Sequence, residues 1–399
     1  MAVSGTERGD LTRTAILALL GTVGPLSRTE IARRLELSPA SVTQVTRELI
    51  GHGMLEELDF APSRGGRRAQ RLGLVGSAGR ALGVKVAADH LVLADVRLDG
   101  AVLGSWERKF DATAANALDV LAEAVAEVAA EGDAGVPLLG IGIGVPGSVD
   151  DLAVGTVHAP ALGWRAMPVG EWVRRRARLP VLVENDVNAL AAAERLYGRG
   201  RIHRDFLVLT IGWGIGAAIV SDGRVYRGAR GGAGEFGHFP VDPAGPVCHC
   251  GNTGCLEALV GAAGLVAASR ARGLPADEIA ELSRAAAEGS APARAVFAEA
   301  GRALGRAVAG LVNVVDPEAV VVLGEGTADW EWWDAGFAPA VRSCLLPGLR
   351  DVPIEVEAWG DTSWAQGAAA LVLATPFDEA GAAGEQGRLV RARLIGGSP

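Results

Sequence analysis

Cysteine is scarce in this sequence, with four residues in 399, and no apolar run of eighteen residues free of charge is present. So few thiols exclude a disulfide-stapled scaffold and are typical of a reducing compartment. The missing apolar run argues against a membrane span, and the polar first ten residues argue against a secretory signal. We therefore expect a cytoplasmic globular protein that has no membrane partner.

Charge is unevenly distributed along the chain. Residues 1–80 contain 11 arginine or lysine residues against 8 acidic ones, a net charge of +3, whereas the whole chain carries −9. A mildly basic head followed by an acidic body fits a nucleic-acid-binding module attached to a domain that stays off nucleic acid. At 399 residues the chain is also too long for one compact core, so we expect two or three domains.

Three of the four cysteines lie within eight residues of one another, and a histidine precedes them closely. Thiols two and five residues apart, with Gly251 and Gly254 to turn the backbone, can converge on one tetrahedral ion. A Cys-x-Cys pair is too close for an easy disulfide, and the alternative is a set of buried or redox cysteines in a glycine-rich loop. We predict one structural Zn²⁺ in a closed shell that leaves no position for a reactive water. The predicted ligands are His238, Cys248, Cys250 and Cys255.

Two short motifs contain this cluster: Glu-Phe-Gly-His at 235–238, and Cys-His-Cys-Gly-Asn-Thr-Gly-Cys-Leu-Glu at 248–257. Together they resemble the signature of the ROK family, which contains bacterial sugar kinases and sugar-responsive repressors. The resemblance extends over nearly the whole chain. It implies an α/β protein with the two-lobed actin-like (ribonuclease H-like) sugar kinase fold. It also implies that Glu235, His238 and Glu257 contact sugar hydroxyls.

The first 75 residues predict a winged helix-turn-helix. Ser27 and Glu30 have the spacing of a capping box at the start of one short helix, and Ser38-Pro39 begins the next. Two short helices joined by a tight turn form a helix-turn-helix, whose second helix enters the DNA major groove. The predicted DNA contacts are Ser38, Ser41, Thr43, Gln44 and Arg47 on that helix, and Arg64, Arg67 and Arg68 in a basic glycine-rich wing.

A three-helix head that mediates protein contacts is the alternative interpretation. The basic wing directly after a helix face of serine, threonine, glutamine and arginine favours DNA. The head also resembles the N-terminal module of ROK repressors, which the free-standing kinases of the family lack. Ala69 departs from that pattern, since such wings often carry proline at this position.

The body of the chain contains a duplicated pattern. Three strands with an Asp-Gly turn before the last one occur at 82–108 and again at 206–227. Alternating helices and apolar strands follow each copy, so we expect two facing α/β lobes with mixed sheets. The expected domains are the winged head at 1–75, the first lobe at 76–195 plus 363–399, and the second lobe with the zinc loop at 196–362. Within the glycine-rich residues 376–399, only 388–395 are expected to form a regular segment.

Asn185 and Asp186 follow an apolar strand, at the edge where open α/β sheets bind ligands. The family resemblance implies that Asn185 contacts the sugar, and that Asp186 is the base which takes the hydroxyl proton in a kinase. Both residues can also cap the helix that follows. With two residues on the opposite wall, the predicted sugar contacts are Gly147, Ser148, Asn185, Asp186, Glu235, His238 and Glu257.

The nucleotide-binding elements of the family's kinases are altered here. Those enzymes carry Asp-x-Gly-Gly-Thr where residues 85–89 read Lys-Val-Ala-Ala-Asp, so a metal-binding carboxylate and two phosphate-cradling glycines are lost. Trp213 interrupts a second glycine loop at 212–216, and Glu325 interrupts a third at 324–326. We therefore expect no ATP, no Mg²⁺ and no catalytic residue, with Asp186 as a vestigial base.

These observations predict a DNA-binding transcriptional regulator, a repressor, that is not an enzyme. A sugar or sugar derivative bound between the lobes of a degenerate kinase domain would control how two winged heads bind a double-stranded DNA operator. Paired half-sites need at least a homodimer, and a homotetramer meets the same requirement. The alternative is an ATP-dependent kinase of a hexose or amino sugar with an added DNA-binding head, and residual kinase activity stays open.

Overall fold

The computed structural model describes residues 12–13, 15–17, 19–21, 23–60, 69–132, 135–360, 362–377 and 383–394. The chain divides into two compact units. Unit 1 is Met1–Ile202 together with Thr362–Pro399, and unit 2 is His203–Asp361. The predicted head and the predicted first lobe thus fall in unit 1, and the predicted second lobe falls in unit 2.

The head opens unit 1. Residues 12–23 are helical wherever they are described, and this helix is α1. The elements that follow are β1 (Leu26–Ser27), α2 (Arg28–Arg34), α3 (Pro39–Gly51), β2 (Leu55–Phe60) and β3 (Gln70–Leu74). The three strands form an antiparallel sheet in the order β1-β3-β2. Two short helices followed by a hairpin make a winged helix-turn-helix, as the sequence predicts.

Side-chain caps explain where α2 and α3 begin. The Ser27 hydroxyl accepts a hydrogen bond from the Glu30 N–H at 3.3 Å, and the Glu30 carboxylate accepts one from the Ser27 N–H at 2.9 Å. This is the predicted capping box, and the hydrogen bond from the Ser27 N–H holds the pKa of Glu30 below its ordinary value. The Ser38 hydroxyl accepts from the Ser41 N–H at 3.1 Å, with Pro39 as the first residue of α3.

One hydrophobic core runs from the head into the first lobe. Ile31, Val42 and Leu49 are fully buried in the head, and they belong to the same packed cluster as Leu98 and Leu196 of the lobe. Between them, Gly76–Ala78 form a short 3-10 turn, and the first strand of the lobe begins at Arg80. The head is therefore packed against the lobe over an apolar surface.

The first lobe contains β4 (Arg80–Val86), β5 (His90–Arg97), β6 (Val102–Lys109), α4 (Ala117–Glu131), β7 (Leu138–Val145), β8 (Ser148–Val149), β9 (Val157–Ala159), β10 (Trp164–Met167), α5 (Val169–Ala177), β11 (Val181–Asn185) and α6 (Asp186–Leu196). Its main sheet has the order β11-β7-β4-β5-β6. Strands β4, β7 and β11 are parallel, whereas β4, β5 and β6 pair antiparallel. Strand β7 is buried along its whole length, as expected when helices cover both faces of a parallel sheet.

Unit 2 contains β12 (Phe206–Ile211), β13 (Ile215–Ser221), β14 (Arg224–Val225), α7 (Leu256–Val260), α8 (Ala262–Ala271), α9 (Ile279–Ala287), α10 (Ala291–Val315), β15 (Ala319–Leu323), α11 (Trp330–Cys344) and β16 (Ile354–Val356). Its sheet has the order β14-β13-β12-β15-β16. Strands β12, β15 and β16 are parallel, and β12, β13 and β14 pair antiparallel.

The two sheets have the same topology, which confirms the predicted α/β duplication. In each, three antiparallel strands that follow one another in sequence lie beside two further strands parallel to the first of the three. The second copy turns at Asp222 and Gly223, both with positive φ (52° and 72°), as a tight Asp-Gly hairpin requires. Gly100 has a φ of 87° at the corresponding turn of the first copy.

The chain returns to unit 1 through α12 (Ser363–Leu373), which packs on the first sheet at very short range. A Cβ atom added to Gly83 would lie 1.8 Å from the Ala365 carbonyl oxygen, and one added to Gly142 would lie 1.8 Å from that of Ala368. The backbone of α12 can therefore approach the two strands this closely only because both positions are glycine.

The last described element is α13 (Gly384–Leu394), which begins four residues before the segment predicted at 388–395. Its buried residues include Gln386, Val390 and Leu394, which recur at the helical spacing of four. The Gln386 side-chain oxygen accepts a hydrogen bond from the Val181 N–H at 3.2 Å, so the helix is fixed to the edge of the first sheet. Helix-disfavouring glycines at 384 and 387 concealed its first turn in the sequence.

Within the described ranges, no helix combines the length and the apolar character needed to cross a membrane.

Two glycine-to-alanine substitutions should change stability in opposite directions. Gly142→Ala should destabilise unit 1 by about 1–3 kcal/mol, because the new methyl group must displace the backbone of α12. Gly310 lies in the middle of α10 on its solvent-exposed face, with nothing within 4 Å of an added Cβ. Gly310→Ala should therefore stabilise the helix by about 1 kcal/mol, because alanine has the higher helix propensity. Thermal unfolding of both variants beside the unchanged protein measures this, and an unaltered melting temperature for Gly142→Ala would contradict the close packing.

Candidate functional site

The predicted metal ligands converge in unit 2. The Cys248 Sγ lies 3.6 Å from the His238 Nδ1, and the Cys250 Sγ lies 3.7 Å from the Cys255 Sγ. One donor atom from each of the four residues lies within 4.8 Å of all the others. Ligands about 2.3 Å from a tetrahedral zinc ion are separated by about 3.8 Å, so the spacing suits a single metal. Three thiols and an imidazole are a donor set for a soft divalent cation.

Two glycines shape the loop that carries the cysteines. Gly251 and Gly254 have φ values of 93° and 68°, in the left-handed region that favours glycine. A Cβ atom on Gly254 would lie 1.5 Å from the Asp242 carbonyl oxygen, so no other residue fits there. Backbone hydrogen bonds from Cys248 to Asn252 (2.7 Å) and from Gly254 to Pro246 (2.8 Å) close the loop around the thiols.

The thiols differ in how readily they ionise. Burial raises the pKa of the Cys255 thiol to about 12, and burial also raises the pKa of Cys248. A hydrogen bond from the Asn252 N–H lowers the pKa of Cys250. Binding of a divalent cation would offset the desolvation of the two buried thiolates, so the cluster is chemically suited to hold a metal.

His249, which was not among the predicted site residues, connects this loop to Glu257. The His249 Nδ1 lies 3.2 Å from a Glu257 carboxylate oxygen, and the His238 and His249 rings meet edge to face at 5.2 Å. His238, His249 and Glu257 also place donor atoms within 4.8 Å of one another. In the sequence, the one sign that His249 belongs to the site is its position between Cys248 and Cys250.

The three sugar contacts predicted in unit 2 lie together around His238. The His238 Nε2 is 3.8 Å from the Glu235 carboxylate, and Glu257 belongs to the group of donors described above. The second Glu257 oxygen accepts a hydrogen bond from the Ile215 N–H at 3.0 Å. Glu257 lies in α7, which Gly261 separates from α8.

The sugar contacts predicted in unit 1 meet at the carboxyl end of β11. The Asn185 oxygen accepts hydrogen bonds from the Val187 and Asn188 N–H groups at 2.9 and 3.1 Å, so the capping interpretation is confirmed. The Asn185 amide donates to the Gly147 carbonyl at 3.0 Å. Ser148 is half-buried in β8, next to Gly147. Asn185 thus joins the two strand ends and starts α6.

Asp186 forms an ion pair with Lys85, the residue that stands where the family's kinases carry an aspartate. The sequence alone did not predict this pair. Both side chains are largely buried, with 14% of Lys85 and 10% of Asp186 exposed. The Lys85 ammonium also lies 4.3 Å from the centre of the Trp364 ring, within cation–π range. The Lys85 ammonium is therefore paired directly with the Asp186 carboxylate, the group that the family resemblance predicts as the base in a kinase.

The altered glycine loops also lack the character of a phosphate site. The turn between β4 and β5 contains Ala87 and Ala88, and the Ala87 N–H is bonded to the His90 carbonyl at 3.0 Å. In unit 2, a Cβ atom on Gly212 would lie 2.2 Å from a Glu325 carboxylate oxygen, which puts negative charge against the second loop. Trp213 in that loop is 83% exposed.

The head presents a polar face on α3. Ser38, Ser41, Gln44 and Arg47 are exposed, and Thr43 is half-buried with its hydroxyl donating to the Pro39 carbonyl at 2.7 Å. Val42, Val45 and Leu49 on the other face are buried. The predicted wing contacts Arg64, Arg67 and Arg68 lie outside the described residues. The described part of the head therefore exposes the groups that a recognition helix needs.

Family models match two parts of the chain. Residues 81–375 match the ROK family, and residues 10–58 match the MarR family. The first match spans the two α/β lobes, and the second spans the helices of the head.

Two curated proteins are similar over most of their length. The chain is 31% identical over 346 residues to the DNA-binding transcriptional dual regulator NagC of Escherichia coli K12, which covers 84% of each protein. It is 29% identical over 367 residues to the xylose repressor of Caldicellulosiruptor bescii, covering 87% of this chain and 92% of that one.

The solved structures that are similar to this chain include regulators and kinases. A ROK family transcriptional regulator, described as a homologue of the E. coli MLC protein, has a TM-score of 0.78 at 28% identity and covers 98% of this chain and 100% of its own. A ROK family glucokinase from Streptomyces griseus has a TM-score of 0.66 at 31% identity, covering 73% of this chain and 99% of its own. Since the ROK model spans both lobes and the solved regulator matches nearly the full length, the chain belongs to the ROK family, with a head of the MarR type.

Proposed function

We propose that this protein is a transcriptional repressor that binds a double-stranded DNA operator through its winged head and responds to a sugar or sugar derivative. Relatives that match over most of the chain are described as a transcriptional dual regulator and as a xylose repressor. Such a regulator acts where the DNA is, in the cytoplasm. Paired half-sites about one helical turn apart require two heads, so the active form is a homodimer or a homotetramer.

The observation that carries the proposal is the ion pair between Lys85 and Asp186. A kinase base must accept the proton of the attacking hydroxyl while a metal ion and backbone N–H groups hold the phosphates. Here the ammonium of Lys85 already neutralises the carboxylate, and alanines replace the glycines of the adjoining turn. Asp186 then accepts a hydrogen bond from a sugar hydroxyl, and no phosphoryl group is transferred.

We assign sugar recognition to polar groups in both units. In unit 1 these are Asn185 and Asp186 at the end of β11, with Gly147 and Ser148 beside them. In unit 2 they are Glu235, His238 and Glu257. Carboxylate oxygens suit a neutral polyol, because each accepts a hydrogen bond from a hydroxyl group, and the second amide N–H of Asn185 can donate to a hydroxyl oxygen. His238 can offer one ring nitrogen to the metal and leave the other for the sugar.

We assign a structural Zn²⁺ to His238, Cys248, Cys250 and Cys255. The distances among their donor atoms support this assignment, and four protein ligands leave no open position for a catalytic water. The metal, when bound, neutralises the thiolates and fixes the loop. The loop in turn holds Glu257 through His249, so we expect sugar recognition to depend on the metal.

Replacing Arg47 by alanine should weaken operator binding about fivefold or more, because an exposed arginine on a recognition helix contributes about 1–3 kcal/mol through a base or phosphate contact. The measurement is a gel shift of the full chain on the DNA upstream of its own gene, at fixed salt and beside a scrambled duplex. Arg302→Ala, which removes an exposed arginine from α10, is the matched control and should bind like the unchanged protein.

Equal binding by the Arg47 and Arg302 variants would contradict the assignment of α3. Repeating the titration with a panel of sugars tests the response, since one sugar should shift the operator affinity of the unchanged protein.

Cys250→Ser should lose both the bound zinc and the response to sugar. Cys344→Ser is the matched control, because Cys344 is exposed at the end of α11 and is not a member of the cluster. Metal analysis of the purified proteins should find about one zinc ion per chain in the control and far less in the Cys250 variant. A Cys250→Ser protein without metal that still responds normally to sugar would refute the structural role.

No sugar-dependent release of ADP above background is expected when the protein is assayed with common hexoses and amino sugars. Lys85→Asp alone should not restore turnover, since Ala87 and Ala88 still deprive the phosphate turn of its glycines. The assay also tests the second candidate function, a sugar kinase with a DNA-binding head, which the structural likeness to a ROK glucokinase favours. Turnover by the unchanged protein that disappears in Asp186→Asn would establish the kinase.

A further inference from the structure

Trp213 is exposed in an otherwise well-fixed turn of unit 2. Its side chain is 83% exposed, although an indole is among the largest apolar surfaces a residue can bury. The turn between β12 and β13 is held by the Gly212 N–H bonded to the Gly214 carbonyl (3.1 Å) and by the Ala262 N–H bonded to the Gly212 carbonyl (3.2 Å). The exposure therefore belongs to an ordered turn.

Two carboxylates lie against the glycines on either side of the tryptophan. A Cβ atom on Gly212 would lie 2.2 Å from a Glu325 oxygen, and one on Gly214 would lie 2.5 Å from a Glu257 oxygen. The same Glu257 oxygen accepts the Ile215 N–H at 3.0 Å, which removes a backbone donor that a phosphate would need. Negative charge on both sides and an occupied N–H make the turn unsuitable for an anionic ligand.

The same features suit an uncharged carbohydrate. Carboxylate oxygens accept hydrogen bonds from ring hydroxyls, and the flat face of an indole covers the apolar C–H face of a pyranose. Ligand sites in general combine an apolar or aromatic wall with a few convergent polar groups. The turn supplies one aromatic wall, and Glu257 and Glu325 place two acceptors beside its glycines.

We infer that the turn Gly212–Gly214 is a second carbohydrate subsite next to Glu257, in which Trp213 stacks on a second sugar ring of the effector. This inference rests on the proposed sugar response, and it narrows the effector to a disaccharide, a longer oligosaccharide or a glycoside with a ring-shaped substituent. Trp213 is then a specificity residue that distinguishes such ligands from the corresponding monosaccharides.

The test uses the full zinc-loaded chain and calorimetric titration with glucose, xylose, N-acetylglucosamine and the β-1,4-linked disaccharide of each. One disaccharide should bind about tenfold or more tightly than its monosaccharide. Trp213→Ala should abolish that advantage while leaving the monosaccharide affinity unchanged, and Trp213→Phe should retain part of it. Tyr226→Ala is the matched control, because Tyr226 is an exposed aromatic residue of unit 2 that directly follows β14 and donates its N–H to the Ile219 carbonyl.

Each other outcome is decisive. If the unchanged protein binds a monosaccharide and no disaccharide binds more tightly, the subsite is refuted and the proposed sugar response stands. Equal weakening of both ligands by Trp213→Ala refutes the subsite as well. If Trp213→Ala alters the oligomeric mass without changing any sugar affinity, the indole is covered by a second copy of the chain. If no sugar binds the unchanged protein, the proposed sugar response fails and the subsite fails with it.

Discussion

The carboxylate of Glu257 connects three separate parts of unit 2. One oxygen faces His249 in the cysteine loop, the other accepts the Ile215 N–H in the glycine turn, and the residue itself lies in α7. A partly buried carboxylate is stable only when such partners replace its hydration, so the loop, the turn and the helix must keep their relative positions. A metal in the cysteine cluster would fix one side of this arrangement and a ligand would contact the other. The cysteine loop thus supports Glu257 through His249.

The Lys85–Asp186 pair has a comparable effect in unit 1. The Asp186 carboxylate is largely buried, and the Lys85 ammonium balances its charge. The ammonium also contacts the ring of Trp364 at the start of α12, a helix whose close packing depends on Gly83 and Gly142. In the sugar receptor proposed above, the pair would retain a hydroxyl acceptor without leaving the carboxylate available as a base.

Helix caps and tight turns are predictable from the sequence, because the residues that form them are close together in the chain. Contacts between distant residues are not. The capping box of Ser27 and Glu30 and the cap at Ser38 depend on residues three apart, so spacing alone predicted them. The repeated Asp-Gly turns revealed the duplicated sheet for the same reason. Lys85 and Asp186 are 101 positions apart, and no pattern in either segment indicates that the lysine approaches the carboxylate. The start of α13 was missed because its glycines disfavour a helix, and only burial against the first sheet stabilises it.

The position of α6 bears on how a ligand could influence the head. The helix begins at Asp186 and ends at Leu196, which belongs to the same hydrophobic cluster as Ile31 and Leu49 of the head. Just beyond it, Arg201 lies close enough to Gly24 that an added Cβ there would be 3.6 Å from the guanidinium. A ligand can shift an equilibrium only by as much as it binds one state better than the other, and coupling requires an element with two arrangements. Helix α6 has eleven residues and lies between Asp186, a proposed sugar contact, and this shared cluster, so a displacement at Asp186 would pass to the cluster through one short rigid helix.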